Sequence, residues 1–216
     1  MMIAMRKSVT VALGIALGST SAPLEARAQE ATVGSEAYGV YVKMASVEQP
    51  RAPRAALANG AVMAHDQAAS LSVPNVVKAE NLFATATGAG ESHDVSAQSS
   101  VTLERVDILN GLITADLVMA IASSAIHTTA ASNAHGTTFA DLVVNGVPVA
   151  AGVAPNTRID LPGVGYVVLN ERLRSGDGAT STGLSVRMIH VVLRDAVTGA
   201  TTGEIVVGAA SSYARQ

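Results

Sequence analysis

Short turn dipeptides between alternating apolar runs constrain this sequence more than any other feature. Asn110-Gly111 and Asn145-Gly146 each separate two apolar runs, and Pro162-Gly163 does the same further along the chain. Asn-Gly is the strongest short-range signal for a β-hairpin, because both residues tolerate the positive φ of a type I′ turn. Pro-Gly is typical of a type II turn. The chain is therefore expected to fold mainly as antiparallel strands joined by tight turns.

The first of these turns predicts a strand register. With a two-residue loop at Asn110-Gly111, Leu103 lies opposite Val118. The same register puts Arg105 opposite Asp116, and we predict an ion pair between these two side chains. The other face of the return strand carries an apolar row that is expected to meet the core, formed by Ile113, Ala115, Leu117, Met119 and Ile121.

Strand patterns cover most of the remaining chain and predict one all-β domain over residues 29–216. Residues 45–60 are predicted as a loop, and residues 61–72 are ambiguous between a short helix and a strand. Pro148 has no backbone N–H, so its strand is expected at a sheet edge or a sheet end. The pattern predicts an antiparallel β-sandwich-like domain of about eight to ten strands. A short β-solenoid is the alternative, because Gly- and Val-rich segments recur.

The first 28 residues have the three parts of a secretory signal peptide. Arg6 and Lys7 form a basic region, residues 9–17 form a short apolar region, and Ala26-Arg27-Ala28 supplies the small residues of a cleavage site. We predict cleavage after Ala28 and a secreted or periplasmic protein, with surface association as an open alternative. No apolar run reaches the roughly 18 residues of a membrane helix, so the mature chain is expected to lack a transmembrane segment.

The composition excludes several classes of protein. The 216 residues are 49% hydrophobic and 14% charged, which is too apolar for a disordered polymer. The net charge of −3 at pH 7 argues against nucleic acid as a partner. The chain has no cysteine, so neither disulfides nor thiol chemistry are expected.

Five segments of the chain carry a resemblance to a known family. They are AYGVYV near the predicted mature start, VTLERVDILNGLITADLVMAIASSA, TTFADLVVNGVPV and APNTRIDLPGVGYVVLNER in the middle, and LSVRMIHVVL near the end. Together they resemble the choice-of-anchor P family of exported bacterial proteins. The resemblance covers essentially the whole predicted mature chain. It implies secretion and, in many family members, attachment through C-terminal signals that this sequence does not show. It implies no reaction, ligand or catalytic residue.

Histidines are the only side chains that ordinarily titrate near neutral pH. The chain has five, which are His65, His93, His127, His135 and His190. One interpretation is a metal site built from several of them. The favoured interpretation is surface histidines plus one partly buried and hydrogen-bonded His190, because no pair has the i, i+2 or i, i+4 spacing that suits chelation. No metal ligand and no cofactor is assigned.

Five carboxylates are candidate acids for a hydrolase, namely Asp160, Glu171, Asp177, Asp195 and Glu204. Residues 175–183 could hold Ca²⁺ loosely through Asp177, but one carboxylate is too few for a strong site. Solvated charges are the favoured interpretation, and no catalytic residue is assigned.

Three functions remain open from the sequence. The first is a noncatalytic exported domain with a structural or adhesive role at the cell surface or in the extracellular matrix, whose partners would be envelope or matrix components. The second is a small-ligand or glycan-binding module that uses the few aromatic side chains, which are Tyr38, Tyr41, Phe83, Phe139, Tyr166 and Tyr213. The third is a hydrolase that uses acids without a recognisable motif.

Overall fold

The computed structural model describes residues 31–58, 61–91 and 94–216, and these residues form strands and turns with no helix. No helix that could cross a membrane is therefore present in these three segments. The predicted signal peptide and its cleavage site lie outside the described residues, as does His93.

The described part of the chain contains fourteen strands. In chain order they are β1 (Thr32–Met44), β2 (Glu48–Ala56), β3 (Met63–Val73), β4 (Val77–Glu91), β5 (Asp94–Ile108), β6 (Ile113–Ile126), β7 (Ala130–Asn133), β8 (Thr138–Ala140), β9 (Val143–Val144), β10 (Val147–Pro148), β11 (Thr157–Leu161), β12 (Gly165–Ser175), β13 (Ser181–Arg194) and β14 (Thr201–Arg215).

The strands form two antiparallel sheets that pack face to face. The six-stranded sheet has the order β11-β12-β13-β14-β1-β2. The eight-stranded sheet has the order β10-β9-β6-β5-β4-β3, and β7 and β8 also pair with β6. The predicted antiparallel β-sandwich is confirmed. The solenoid alternative is wrong, because the strands pair antiparallel within two facing sheets rather than stacking as a coil.

The strand count differs from the expected eight to ten, for two reasons. Nine strands have nine or more residues, and the other five are short pieces of two to five residues. The segment 45–60, predicted as a loop, contains β2. This strand tolerates Pro50 and Pro53 because it lies at the edge of its sheet. The ambiguous segment 61–72 is mostly β3.

The turn predictions at Pro162-Gly163 and Asn145-Gly146 are confirmed. Gly163 has the positive φ of a type II turn, 74°, and the N–H of Val164 donates to the carbonyl of Leu161 at 3.0 Å. Asn145 and Gly146 have φ of 49° and 75°, and Val144 pairs with Val147 around them, as a type I′ turn requires. Pro148 lies in β10 at the edge of the eight-stranded sheet. At Asn110-Gly111 the loop is longer than two residues, but the predicted register between β5 and β6 is confirmed by the pairing of Leu103 with Val118.

At one level of the eight-stranded sheet, the alternation of buried and outward side chains reverses within several strands. This level is called the crease. On β5, for example, Leu103 and Val106 are both buried although they are three residues apart. The same break lies between Ala79 and Leu82 on β4 and between Ala115 and Val118 on β6.

The crease continues across the six-stranded sheet. It lies between Ala37 and Val40 on β1 and between Val207 and Ala210 on β14, which are buried pairs with the same spacing of three. Residues with positive φ lie at this level in both sheets, and they are Asn81, Arg105, Asn170 and Gly208. A left-handed residue displaces the pleat in the way that a β-bulge does, which is why the alternation reverses there.

The crease overturns the predicted Arg105–Asp116 ion pair. The neighbouring pairs Glu104–Leu117 and Val106–Ala115 keep the expected register. Arg105, however, has a φ of 47°, and its Nε donates to Glu80 Oε2 on β4 at 2.8 Å. The predicted register of the two strands is correct, but the left-handed backbone at Arg105 directs its side chain to Glu80 on β4 instead of Asp116 on β6.

The predicted apolar row on β6 is wrong beyond its second member. Ile113 and Ala115 are buried, but Leu117, Met119 and Ile121 are only half-buried. After the crease, the core positions on β6 are Val118, Ala120, Ala122, Ser124 and Ile126. The row therefore changes face at Asp116, because a strict alternation of period two holds only on each side of the crease.

One part of the interior between the sheets is polar. Ser124 Oγ lies 2.7 Å from Ser212 Oγ and 2.8 Å from Ser132 Oγ, and Ser132 Oγ lies 2.7 Å from Thr182 Oγ1. We call these four residues the hydroxyl network. It joins β6 and β7 of one sheet to β13 and β14 of the other, and each hydroxyl has a partner, as buried polar groups require.

Candidate functional site

The crease creates a polar and aromatic cluster on the outer face of the six-stranded sheet. Tyr38 and Tyr41 on β1 are three residues apart, as are Val206 and Ala209 on β14, and these four side chains pack together. A strict alternation would put the members of each pair on opposite faces. Tyr38 is only 9% exposed on this outer face.

His190 is the centre of the polar part of this cluster. Its Nδ1 lies 3.0 Å from Glu171 Oε2 on β12, and its Nε2 lies 3.3 Å from Glu204 Oε2 on β14. Arg187 Nη1 donates to the same Glu171 oxygen at 3.2 Å. The histidine side chain is 12% exposed. One imidazole therefore connects three adjacent strands.

The bond from His190 lowers the pKa of the Glu171 carboxyl, and the charge of Arg187 adds to this effect against the opposing influence of burial. The two ring nitrogens of His190 each face a carboxylate oxygen, one on β12 and one on β14. The arrangement suits a polar crosslink across the three strands.

A metal site does not fit the same residues. Glu171 and Glu204 bind opposite nitrogens of one ring, so their oxygens and a ring lone pair do not converge on one point. Within residues 31–58, 61–91 and 94–216, no group of three or more potential ligands is arranged to hold a metal ion.

A second charged group borders the tyrosines on the β2 side. Arg51 Nη1 and Arg54 Nε each donate to Glu36 Oε1 at 2.8 Å. Burial pushes the pKa of Glu36 upward, but the bonds from Arg54 and Arg51 outweigh burial and leave it below its ordinary value. The Arg51 guanidinium also lies 4.9 Å from the centre of the Tyr38 ring, and burial raises the pKa of that tyrosine.

A cleft of about 540 Å³ opens beside His190. It lies at the ends of β1, β13 and β14, and its polar lining includes Lys43, Thr201, Thr202 and Glu204. This volume lies within the range of sites for small ligands. The cleft brings one ammonium, two hydroxyls and one carboxylate to the edge of the cluster.

The other candidate acids have local structural partners. Asp177 Oδ1 accepts the N–H groups of Ala179, Thr180 and Ser181, and the Thr180 hydroxyl donates to Oδ2. These bonds, with that of the Thr180 hydroxyl the strongest, hold the pKa of Asp177 far below its ordinary value. The carboxylate thus closes its own loop, which leaves little of it for the loose Ca²⁺ site considered from the sequence.

Asp195 closes the turn between β13 and β14 in the same way. It accepts the N–H groups of Thr198 and Val197 and the Thr198 hydroxyl, and these bonds lower its pKa. Asp160 is paired with Arg158 at 2.9 Å on the exposed strand β11. Of the five candidate acids, the fold brings Glu171 and Glu204 together through His190 and leaves the other three at separate places.

The described histidines are spread over the surface apart from His190. His127 Nδ1 lies 2.8 Å from Asp94 Oδ1, at the end of the β5–β6 pair. His65 is exposed on β3, and His135 is exposed in the turn after β7. The favoured interpretation of surface histidines plus a partly buried and hydrogen-bonded His190 agrees with this placement.

Tyr166 is a poor platform for stacking. The guanidinium of Arg158 lies 3.9 Å from the centre of its ring, and that of Arg194 lies 5.0 Å away. Both cations come from strands that flank β12, so they already occupy the π-surface that a sugar ring would need.

The cluster could not be predicted as a unit from strict alternation, because alternation along β13 would put His190 on the same face as the buried Met188. Glycines inside strands were the available signal, since Gly39 and Gly208 lie at the crease and an isolated strand glycine indicates a bulge. No protein-family model, curated protein or solved structure matches this chain. The cluster is therefore interpreted from its own geometry.

Proposed function

We propose that this chain is an exported noncatalytic β domain with a structural or adhesive role at the cell surface or in the extracellular matrix. The observation that supports the proposal is the outer face of the six-stranded sheet. There, tyrosines and ion pairs form a fixed surface in which the charged groups are already paired with one another. Such a preorganised face suits binding to another surface, because little side-chain freedom is lost on contact.

The electrostatics of the acids support a noncatalytic role. A general acid near neutral pH needs a carboxyl whose pKa is raised. The pKa values of Glu171, Asp177 and Asp195 are instead lowered by donors within the chain. The hydrolase interpretation has less support for this reason.

The resemblance to the choice-of-anchor P family supports the same proposal. That family is exported, and the segments that carry the resemblance include all of β8, β9, β10 and β11 and parts of β5, β6, β12 and β13. We propose both membership in the family and export. Membership is supported by the five similar segments, and export is supported by the predicted signal peptide over residues 1–28.

Binding of the purified protein to isolated cell-envelope and matrix fractions tests the proposal. We expect saturable binding that Lys43→Glu weakens several-fold, because Lys43 is exposed on the outer face of the six-stranded sheet. Lys78→Glu is the matched control, since Lys78 is exposed on the eight-stranded sheet. Absence of saturable binding, or equal losses in the two variants, would contradict the proposal.

The cleft beside His190 favours one alternative, a module that binds a small polar ligand such as a saccharide. Its hydroxyls, ammonium and carboxylate can hydrogen-bond a polyol. The test is calorimetry with a panel of saccharides. We expect saturable heat that Thr202→Val abolishes and that Thr102→Val, on the opposite sheet, leaves unchanged. Identical heats from both variants would remove this alternative.

A further inference from the structure

The four edges of the two sheets differ in how they are protected. Edge strands expose unpaired backbone groups, and natural proteins blunt them with prolines, shortness or charge. Strand β10 has two residues and ends on Pro148, and β11 has five residues and is followed by Pro162. Strand β2 contains two prolines and two arginines. Three edges are therefore poor templates for another strand.

Strand β3 lacks these devices. It has 11 residues, with neither proline, lysine nor arginine, and it is the end strand of the eight-stranded sheet. Its pairing with β4 runs without a register shift from Met63–Thr87 to Val73–Val77. Most of its residues are exposed.

The carboxylate on this edge is held by hydrogen bonds within the chain. Asp66 is the only acidic residue of β3. Its Oδ2 accepts the N–H of Arg54 on β2 at 2.8 Å, and its Oδ1 accepts the N–H of Gln67. The carboxylate is therefore directed to its own chain rather than along the free edge. The hydrogen bond from Arg54 to Asp66 also occupies a backbone N–H of β2, so the β2 edge has one free donor fewer.

From this contrast we infer that β3 is a self-association edge, which pairs antiparallel with β3 of a second copy of this chain. A two-fold pairing of one edge with itself removes the free edge of both copies at once. The eight-stranded sheets of two molecules then become one continuous sheet. The inference does not depend on the proposed adhesive role, because it uses a different surface.

The crease sets the register of this pairing. Ala68 and Leu71 pack against the core, so the alternation of β3 reverses between them, at Ala69 and Ser70. On β5 and β6, the core residues that border the crease lie directly opposite each other, as Leu103 and Val118 do. By the same rule, Ala68 lies opposite Leu71 of the second copy, and Ala69 lies opposite Ser70 of the second copy.

This register is compatible in charge and in shape. It puts Asp66 opposite Val73 of the second copy, so no like charges face each other, which would be destabilising. It also aligns the creases of the two sheets. A register displaced by one residue would put core-facing side chains of one copy opposite solvent-facing side chains of the other.

Cysteine crosslinking tests the register on a clean background, because the chain has no cysteine. Gln67 lies opposite Ser72 of the second copy in the inferred register. Directly opposite residues have Cα atoms about 4.5–5.5 Å apart, which a disulfide can span. We expect mixed Gln67→Cys and Ser72→Cys proteins to crosslink on mild oxidation. Gln67→Cys mixed with Ser70→Cys is the control, since a diagonal separation of about 7–8 Å is too long.

Sedimentation equilibrium of the purified protein tests the association itself. We expect a concentration-dependent dimer whose dissociation constant rises at least about tenfold in Ala69→Lys, because two ammonium groups then approach across the two-fold axis. Ala196→Lys, an equally exposed alanine in the β13–β14 turn, should leave it unchanged. Circular dichroism of both variants confirms that they remain folded.

Three results would overturn the inference. One is a protein that stays monomeric up to about 1 mM, because the dissociation constant would then exceed that of a specific dimer. Another is a dimer that Ala69→Lys leaves intact, which would place the interface elsewhere. The third is stronger crosslinking in the control mixture than in the Gln67 and Ser72 mixture, which would refute the register that the crease dictates.

Discussion

Gly208 is the residue at which the crease is most sensitive to substitution. It has a φ of 70°, and a Cβ at this position would lie 2.7 Å from Val118 Cγ1 on the facing sheet. Left-handed backbone costs an L-residue roughly 1–2 kcal/mol. Overpacking of a filled core costs about 1–3 kcal/mol more. We therefore expect Gly208→Ala to lower the free energy of unfolding by about 2–5 kcal/mol, or about 4–20 °C in Tm for a domain of this size.

Gly34→Ala is the matched control, since both glycines lie in the six-stranded sheet. A Cβ at Gly34 would meet only Tyr213 Cβ at 3.6 Å, which is ordinary contact, and the backbone there is not left-handed. Its stability is expected to change by less than about 1 kcal/mol. The assay is urea unfolding followed by circular dichroism, with scanning calorimetry for Tm.

A third variant separates the two costs of Gly208→Ala. In a Val118→Ala background the Cγ1 atom is absent, so the crowding cost should disappear while the backbone cost remains. We expect a coupling energy of about 1–3 kcal/mol between the two positions. Equal effects of Gly208→Ala and Gly34→Ala would refute the reasoning about the crease. A coupling energy near zero would refute the contact with Val118.

Three further predictions concern polar groups. Ser124→Ala should cost about 1–3 kcal/mol, because it leaves the buried Ser212 hydroxyl without its partner in the network, whereas Ser123→Ala on the outer face should cost less than about 0.5 kcal/mol in the same urea assay. The folded pKa of Glu171 lies below its ordinary value of 4.5, so its stabilisation is complete above that pH and is lost as the pH falls through the folded pKa. Glu171→Gln should accordingly lose less Tm than the parent protein between pH 6 and pH 3, and parallel acid profiles would count against the pairing with His190. Finally, Glu80→Gln should speed exchange of the Arg105 Nε proton in NMR, and an unchanged exchange rate would mean that the ion pair is absent in solution.

The crease explains how a sheet rich in small aliphatic residues presents a dense polar and aromatic face. Because the alternation reverses at one level in β1, β13 and β14, residues three apart become neighbours on the same face. Arg187 and His190 meet Glu171 in this way, and Tyr38 meets Tyr41. The same level carries Gly208, so the predicted loss of stability in Gly208→Ala should be accompanied by a disturbed environment of His190.

Much of the strand pairing could be predicted from the sequence. Asn145-Gly146 adopts the left-handed angles that only a few residue types tolerate, and Pro148 lies at an edge because it lacks a donor. The register of β5 and β6 followed from the position of one turn, and Leu103 does pair with Val118. These features depend on the chemistry of one or two residues and their immediate neighbours, so they can be read locally.

The composition and placement of the cluster could not be predicted in the same way. The sequence contained Glu171, His190 and Glu204 as candidates but offered no means to bring them together, since they lie on three strands whose facing depends on the crease. The crease itself arises where left-handed residues of neighbouring strands align and the two sheets pack closely, as at Gly208 and Val118. The sequence by itself determined the turns, the antiparallel class and a central register, because these follow from local backbone sterics. Only the tertiary structure decided which face each side chain occupies beyond the crease, because that depends on contacts between residues far apart in the chain.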